Sequence, residues 1–184
     1  MKFKVAQEEL STGLQLVQKA AATRSAIPVL SGILVETTPA GLTLTATDQE
    51  LGIRITLPAT VAQDGAFVFP SRLGDIVRKI PFGEIAFDVE EANNTATISW
   101  ERSRFVIHGY PAGEFPPLPE PPEGAGFTVS KAELCRLIRQ TGFAVSHDDS
   151  RPVFTGVLLT LVDHALRLVA TDGFRLALAD GPLG

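Results

Sequence analysis

His147, Asp148 and Asp149 stand side by side, the one place in the sequence where imidazole and carboxylate groups cluster with metal-ligand chemistry. They fall in a loop after a helical pattern. The matching loop of an internal repeat, Thr23-Arg24-Ser25, carries no such ligands, so a solvated loop is the better reading and an enzyme built on this cluster a remote one. His108 alternates within a strand pattern and His164 sits in a turn, neither with a visible partner. Cys135, the single cysteine, lies in an apolar helical pattern and reads as a buried small residue rather than a nucleophile. Thr47-Asp48 and Thr171-Asp172 fall at hairpin turns, where an Asp side chain caps backbone amides, a structural task. The sequence has no phosphate-cradling glycine loop, no cysteine cluster and no HExxH. No catalytic residue, metal or cofactor is expected.

The elements that must carry these residues are best read from a repeat. Leu166 to Leu178, LRLVATDGFRLAL, alternates apolar and polar positions on both sides of Asp172-Gly173, the pattern of a hairpin. Leu42 to Ile55, LTLTATDQELGIRI, is an earlier copy at an offset of 124 residues. Without a gap, residues 3–58 align with 127–182 and share 15 identical pairs among 56. Self-similarity on this scale decides the architecture before any single element does.

The first copy reads as β-α-β-β-β. Residues 2–5 form a strand, and Gln7 to Ala22 places Leu10, Leu14, Val17 and Ala21 on one helical face. Ile27-Pro28 begins an extended segment. Strands follow at Gly32–Thr37, Leu42–Thr47 and Glu50–Leu57, with a Pro39-Ala40-Gly41 turn between the first two. Residues 59–115 repeat that order: a strand at Ala66–Phe69, a helix capped by Ser71 and ended by Pro81, then strands at Glu84–Val89, Thr95–Trp100 and Arg104–Gly109. Equal order predicts that the two units pack as one domain about a pseudo-twofold axis. Residues 116–126, PPLPEPPEGAG, hold five prolines and two glycines and read as a linker. A third unit opens at Phe127, its helix running from a Ser130/Glu133 capping box to about Gly142 and its last strand ending near Leu178.

Composition narrows the function. The chain has 184 residues, 45% of them hydrophobic, with no apolar run of membrane-spanning length and no signal peptide at MKFKVAQEEL. One cysteine fits a reducing compartment, and a cytoplasmic protein is expected. A formal charge of −5 argues, taken alone, against nucleic acid. The distribution says otherwise. Residues 71–80 carry Arg72, Arg78 and Lys79 against Asp75, and residues 130–140 carry Lys131, Arg136 and Arg139 against Glu133. Helices net positive within an acidic protein predict a segregated surface.

These residues resemble one family, the bacterial DNA polymerase III beta subunit, or sliding clamp. The N-terminal MKF-V, Arg24 followed by Ile27-Pro28-Val29-Leu30, and the run Leu42 to Asp48 are similar to its first domain. So are Ser103-Arg104-Phe105 and the exit YPAGEFPPLP, while Val169 to Leu176, VATDGFRL, is similar to the family's most recognisable run. The resemblance implies an α+β DNA clamp fold, with β-α-β-β-β units in pseudo-twofold pairs, sheets outside and helices on the DNA-facing side. It divides the chain into a first clamp domain (1–115), a linker (116–126) and the first half of a second domain (127–184).

The family's work is that of a processivity factor without chemistry of its own. Two subunits close head to tail around duplex DNA, touch phosphate without reading bases, and tether the replicative polymerase and the clamp loader through short linear motifs. Carried over, this implies DNA contacts at Arg24, Arg72 and Arg151, with Arg78, Lys79, Arg136 and Arg139 as the basic helix positions. It implies a partner-peptide cleft at Phe154, Thr171, Gly173, Phe174, Arg175 and Leu176, with Phe174 where the family commonly has histidine or tyrosine. Asp148, Pro152 and Val153 fall where other DNA contacts lie. Relative to the family the chain reads as a truncated fragment lacking the rest of the second domain and all of the third. Ring closure is then not expected of it, and two chains are expected to pair their half-domains. The alternative is a short clamp-fold paralogue that binds proteins without encircling DNA.

Overall fold

Phe3 and Val5 alternate with Lys2, Lys4 and Ala6 along β1 (Lys2–Ala6), so one face of that strand is apolar and must be covered. What covers it fixes the architecture. The computed structural model describes residues 1–23, 25–38, 40–119, 124 and 126–183, which fall into two compact units, Met1–Glu120 and Pro121–Gly184.

In the first unit, β1 leads into α1 (Gln7–Val17), then β2 (Gly32–Thr38), β3 (Gly41–Thr47), β4 (Gly52–Leu57) and β5 (Thr60–Gln63). The same order follows as β6 (Ala66–Pro70), α2 (Leu73–Lys79), β7 (Glu84–Glu90), β8 (Thr95–Trp100), β9 (Ser103–His108) and β10 (Tyr110–Pro111). The halves exchange strands. One sheet runs β5-β1-β7-β8-β9 and the other β10-β6-β2-β3-β4, all neighbours antiparallel. Each half thus lends its first and last strands to the sheet built on the other half's three-strand meander. This is the pseudo-twofold pairing expected of equal units. The closing strands β5 and β10 carry too little alternation to be read from sequence.

Both helices lie against the apolar faces of these sheets. Leu10, Leu14 and Val17 of α1 join Leu73 and Val77 of α2 in one core with Ile33, Val35, Phe67, Phe69, Ile85 and Phe87. Phe3 stacks on Phe87 with ring centroids 4.6 Å apart, and Phe69 meets Phe87 edge-on at 5.7 Å. The Gln7 amide donates to the Val77 carbonyl at 2.9 Å and the Gln18 amide to the Ser71 carbonyl, so α1 and α2 run antiparallel. A Cβ on Gly74 would meet the Gln18 amide nitrogen at 2.3 Å, so a larger residue there would displace the Gln18 side chain.

The second unit has α3 (Lys131–Thr141) packed on a single sheet of order β11-β12-β13, formed by Leu158–Val162, Ala165–Thr171 and Leu176–Pro182. Its match to the first half is residue by residue. Shifted by 124, α1 falls on α3, β3 on β12, and the 3-10 turns Gln18–Ala20 and Pro28–Ser31 on Gly142–Ala144 and Pro152–Thr155. Leu137, Leu166, Leu168 and Ala179 form its small core.

Several expectations need correction. Ser71 does not cap α2: the helix begins two residues later, its N-cap is Arg72 and no side chain caps it, while the Ser71 carbonyl takes the Gln18 amide instead. Pro28–Ser31 is a 3-10 turn rather than extended chain, with the Ser31 hydroxyl donating to the Pro28 carbonyl at 2.7 Å. The last strand runs to Pro182, past Leu178, because Ala179 and Gly181 continue the buried alternation. Cys135 is exposed, since its helix face has no covering layer among the described residues. Pro39 and most of 120–126 lie outside the described residues, but Leu118 packs over Gly52 and Phe115 is buried with Val29 and Val68.

Candidate functional site

Three cations on the sheet faces are matched by acids, whereas Arg104 on β9 reaches only the Thr97 hydroxyl, at 3.5 Å. Lys2 pairs with Asp88 at 3.0 Å, Lys4 with Glu84 at 2.8 Å, and Arg167 with Asp180 at 2.7 Å. All lie opposite the buried side of their strands, because Phe3, Val5, Leu166 and Leu168 take the inner positions. The Arg167 guanidinium holds the Asp180 carboxyl below the usual carboxylate range, and the carboxylate raises the guanidinium in return.

The helix-side cations differ. Arg72, Lys79, Arg139 and Arg151 are exposed, with no side-chain partner among the described residues. Arg78 reaches Asp75 at 3.3 Å, one turn away and largely in solvent. Arg136 is the most engaged: its Nε donates to Glu133 at 3.0 Å and its guanidinium also reaches Gln140 and the Asp180 carbonyl. That arrangement lowers the Glu133 pKa and ties α3 to β13. Arg24 lies outside the described residues.

The turn after β12 is built by Asp172. Its carboxylate accepts the Phe174 amide at 2.9 Å and the Arg175 amide at 3.0 Å, and these bonds, aided by the Arg175 guanidinium, hold its pKa below the ordinary value. The Thr171 hydroxyl donates to the Arg175 carbonyl and accepts the Gly173 amide, and Gly173 sits at φ +90°. The first repeat builds the same turn with Asp48 and Thr47, the acceptor bonds shifted by 124. The capping reading of both Thr-Asp pairs holds.

The turn presents Phe174 almost wholly to solvent, 99% exposed. Beside it lies a cavity of about 600 Å³ lined by Phe154, Phe174, Arg175, His147, Asp148 and Arg151, among others. Three of the expected cleft residues and one expected DNA contact therefore share one recess. Thr171 and Gly173 shape its rim through the turn, while Leu176 is exposed on the neighbouring sheet face. Phe143 went unread in the sequence. It is exposed, with the Arg175 guanidinium 5.7 Å from its ring centroid, and a Phe in the exit turn of a helix carries no distinguishing pattern. His147 and Asp148 line the recess without forming a metal centre; among the described residues no three His, Cys, Asp or Glu side chains gather as ligands.

The family model for the DNA polymerase III beta subunit, N-terminal domain, matches residues 1–119, and that for the central domain matches residues 128–183. The chain belongs to the DNA polymerase III beta subunit family. It is 36% identical to the beta sliding clamp of Escherichia coli over 188 residues, covering 100% of this chain and 50% of that protein. The crystal structure of the sliding clamp from Bacillus subtilis superposes with a TM-score of 0.93 at 32% identity, covering 100% of this chain and 50% of that one. The Pseudomonas aeruginosa sliding clamp bound to griselimycin superposes at 0.87 with 36% identity, covering 99% and 50%. The fold is thus the α+β clamp fold. The chain spans about half the length of the curated relatives it matches, and these are named for a clamp, not for a catalyst. No helix among the described residues is long and apolar enough to cross a membrane.

Proposed function

We propose that the chain is part of a cytoplasmic bacterial sliding clamp, the replication processivity factor that encircles duplex DNA without reading its sequence and tethers the polymerase. One observation carries this reading: Arg72, Lys79 and Arg139 at the helices and Arg151 in a loop are exposed and unmatched by acids among the described residues, in a chain of charge −5, while Lys2, Lys4 and Arg167 on the sheet faces are neutralised. Unmatched cations attract phosphate and release counterions on binding, which gives affinity without base readout. Arg24 and Arg78 join Arg72 and Lys79 as the contacts of the first unit in this proposal, and in the second unit Arg136 contributes more to holding α3 than to DNA. Residues 1–115 make a first clamp domain, 116–126 a linker and 127–184 half of a second; the two compact units and the two family matches support that division. In the longer protein two subunits close the ring head to tail.

The recess beside Phe174 is proposed as part of the docking cleft for short linear motifs of the polymerase and clamp loader. Phe154 and Phe174 supply apolar anchorage and Arg175 a polar rim. Griselimycin, the ligand of the Pseudomonas clamp, is a usable probe; Phe174→Ala is expected to weaken its binding to this chain at least tenfold by calorimetry. For DNA, fluorescence anisotropy with two duplexes of unrelated sequence is the test. Equal affinities that fall linearly on a log–log salt plot are expected, with the slope reduced by about one for each of Arg72→Ala, Lys79→Ala and Arg139→Ala. Sequence preference, or slopes unchanged in all three variants, would sink the DNA reading.

A further inference from the structure

Thr43, Thr45 and Thr47 lie on the face of β3 opposite Leu42, Leu44 and Ala46, which point into the core, yet all three threonines are buried. The chain leaving β10 crosses that outer face. Phe115 is buried with Val29 and Val68, against Leu34 and Tyr110. Val68, Leu34 and Thr45 stand side by side on β6, β2 and β3. Three residues further on, Leu118 lies over Gly52 of β4, where a Cβ would meet its side chain at 2.7 Å. Residues 115–118 therefore strap the sheet from β6 to β4.

The strap is held as a docked peptide is held. Its anchors are an aromatic and an aliphatic side chain three residues apart. Pro116 and Pro117 between them have no N–H to give the sheet, and the Phe115 amide turns back to the Ala112 carbonyl. A proline-rich extended segment is ordered beforehand and loses little entropy on docking. Beneath it the Thr45 hydroxyl has no partner among the described residues. That cost disappears when the strap lifts and water returns.

The repeat identifies the seat. Shifted by 124, Phe154, Thr171 and Leu176 of the proposed cleft fall on Leu30, Thr47 and Gly52. Gln49 takes the positive φ of Gly173, +80° against +90°. Leu118 thus lies on the first unit's counterpart of Leu176, over a glycine that leaves room for it. We infer that residues 115–118 are a ligand held in cis on the first unit's copy of the peptide surface. Lifting them opens a second docking site, for a short extended peptide with an aromatic and an aliphatic side chain three residues apart. That this is a peptide surface rests on the cleft reading of the second unit; the seat itself rests on contacts within residues 1–118. Tethering keeps the strap at an effective concentration on the order of millimolar, so the parent chain excludes a free peptide of the same sequence.

The test is fluorescence anisotropy with a labelled synthetic peptide of residues 110–119, YPAGEFPPLP, added to the 184-residue chain. Leu118→Asp alters a half-buried side chain of the strap and leaves the seat intact. It is expected to bind the peptide at least tenfold more tightly than the parent, and Phe115→Ser added to it should raise the affinity further. Circular dichroism matching the parent checks the fold of each. Gly52→Leu in the Leu118→Asp background fills the seat and is expected to lose that gain. Phe174→Ala in the same background is expected to leave peptide binding unchanged, so failure of the second-unit cleft reading, which griselimycin reports, is told apart from failure here. Equal binding by the parent and Leu118→Asp, or binding abolished by Phe174→Ala, overturns the inference.

Discussion

At the scale of single residues, Asp172 does more for the recess than the residues that line it. Its carboxylate holds two successive amides and so fixes where Phe174 and Arg175 point. Because its pKa is lowered in the fold, its contribution is present above the unfolded carboxylate value near 3.9 and is lost as pH falls through the folded value. Hydrogen exchange of the Phe174 and Arg175 amides should therefore be flat from about pH 7 to 5, once corrected for intrinsic rates, and speed up in acid. In Asp172→Ala both amides should lose protection at every pH, with griselimycin binding weakened and the first unit untouched. This role was legible from the sequence, since Asp before a tight turn has few other uses. The fate of Arg136 was not. A net charge counted along a helix cannot tell which arginines are already engaged by a neighbouring strand.

At the scale of elements, the helices were legible wherever packing and capping agreed. Ser130 accepts the Glu133 amide at 3.2 Å, and α3 starts where the capping box placed it. Glu133 does not complete the box, because Arg136 takes its carboxylate. Ser130→Ala should cost about 1 kcal/mol in urea denaturation followed by circular dichroism. For α2 the same reasoning failed at Ser71, because tertiary contact with Gln18 and a short seven-residue helix outweighed a local cap. Burial separates the copies further. Leu14→Ala removes a fully buried side chain and should cost roughly 2–5 kcal/mol. Ile138→Ala at the equivalent, half-exposed place should cost well under half as much. Urea denaturation of the two variants reads the difference.

At the scale of the molecule, two units with separate cores should unfold as separate transitions in calorimetry. Leu14→Ala should lower only the transition of the larger unit; a uniform shift of both would mean that the cores melt together. The overall plan was readable because the repeat kept its spacing: a constant offset of 124 survives where identity has fallen to 15 in 56. The exchange of strands between halves was not readable, since alternation reports which face of a strand is buried but not which neighbour it joins.

That exchange has a consequence for how the chain comes off the ribosome. Lys2–Ala6 emerges some eighty residues before Glu84–Glu90, the strand that joins it to the meander of its sheet. The first helix and its meander can form early, but until the second meander has left the exit tunnel the opening strand has only the short β5 beside it. Folding of the first unit is therefore gated by synthesis rather than by local propensity. A pause in translation before residue 84 would leave Phe3 and Val5 open to chaperones for as long as it lasted.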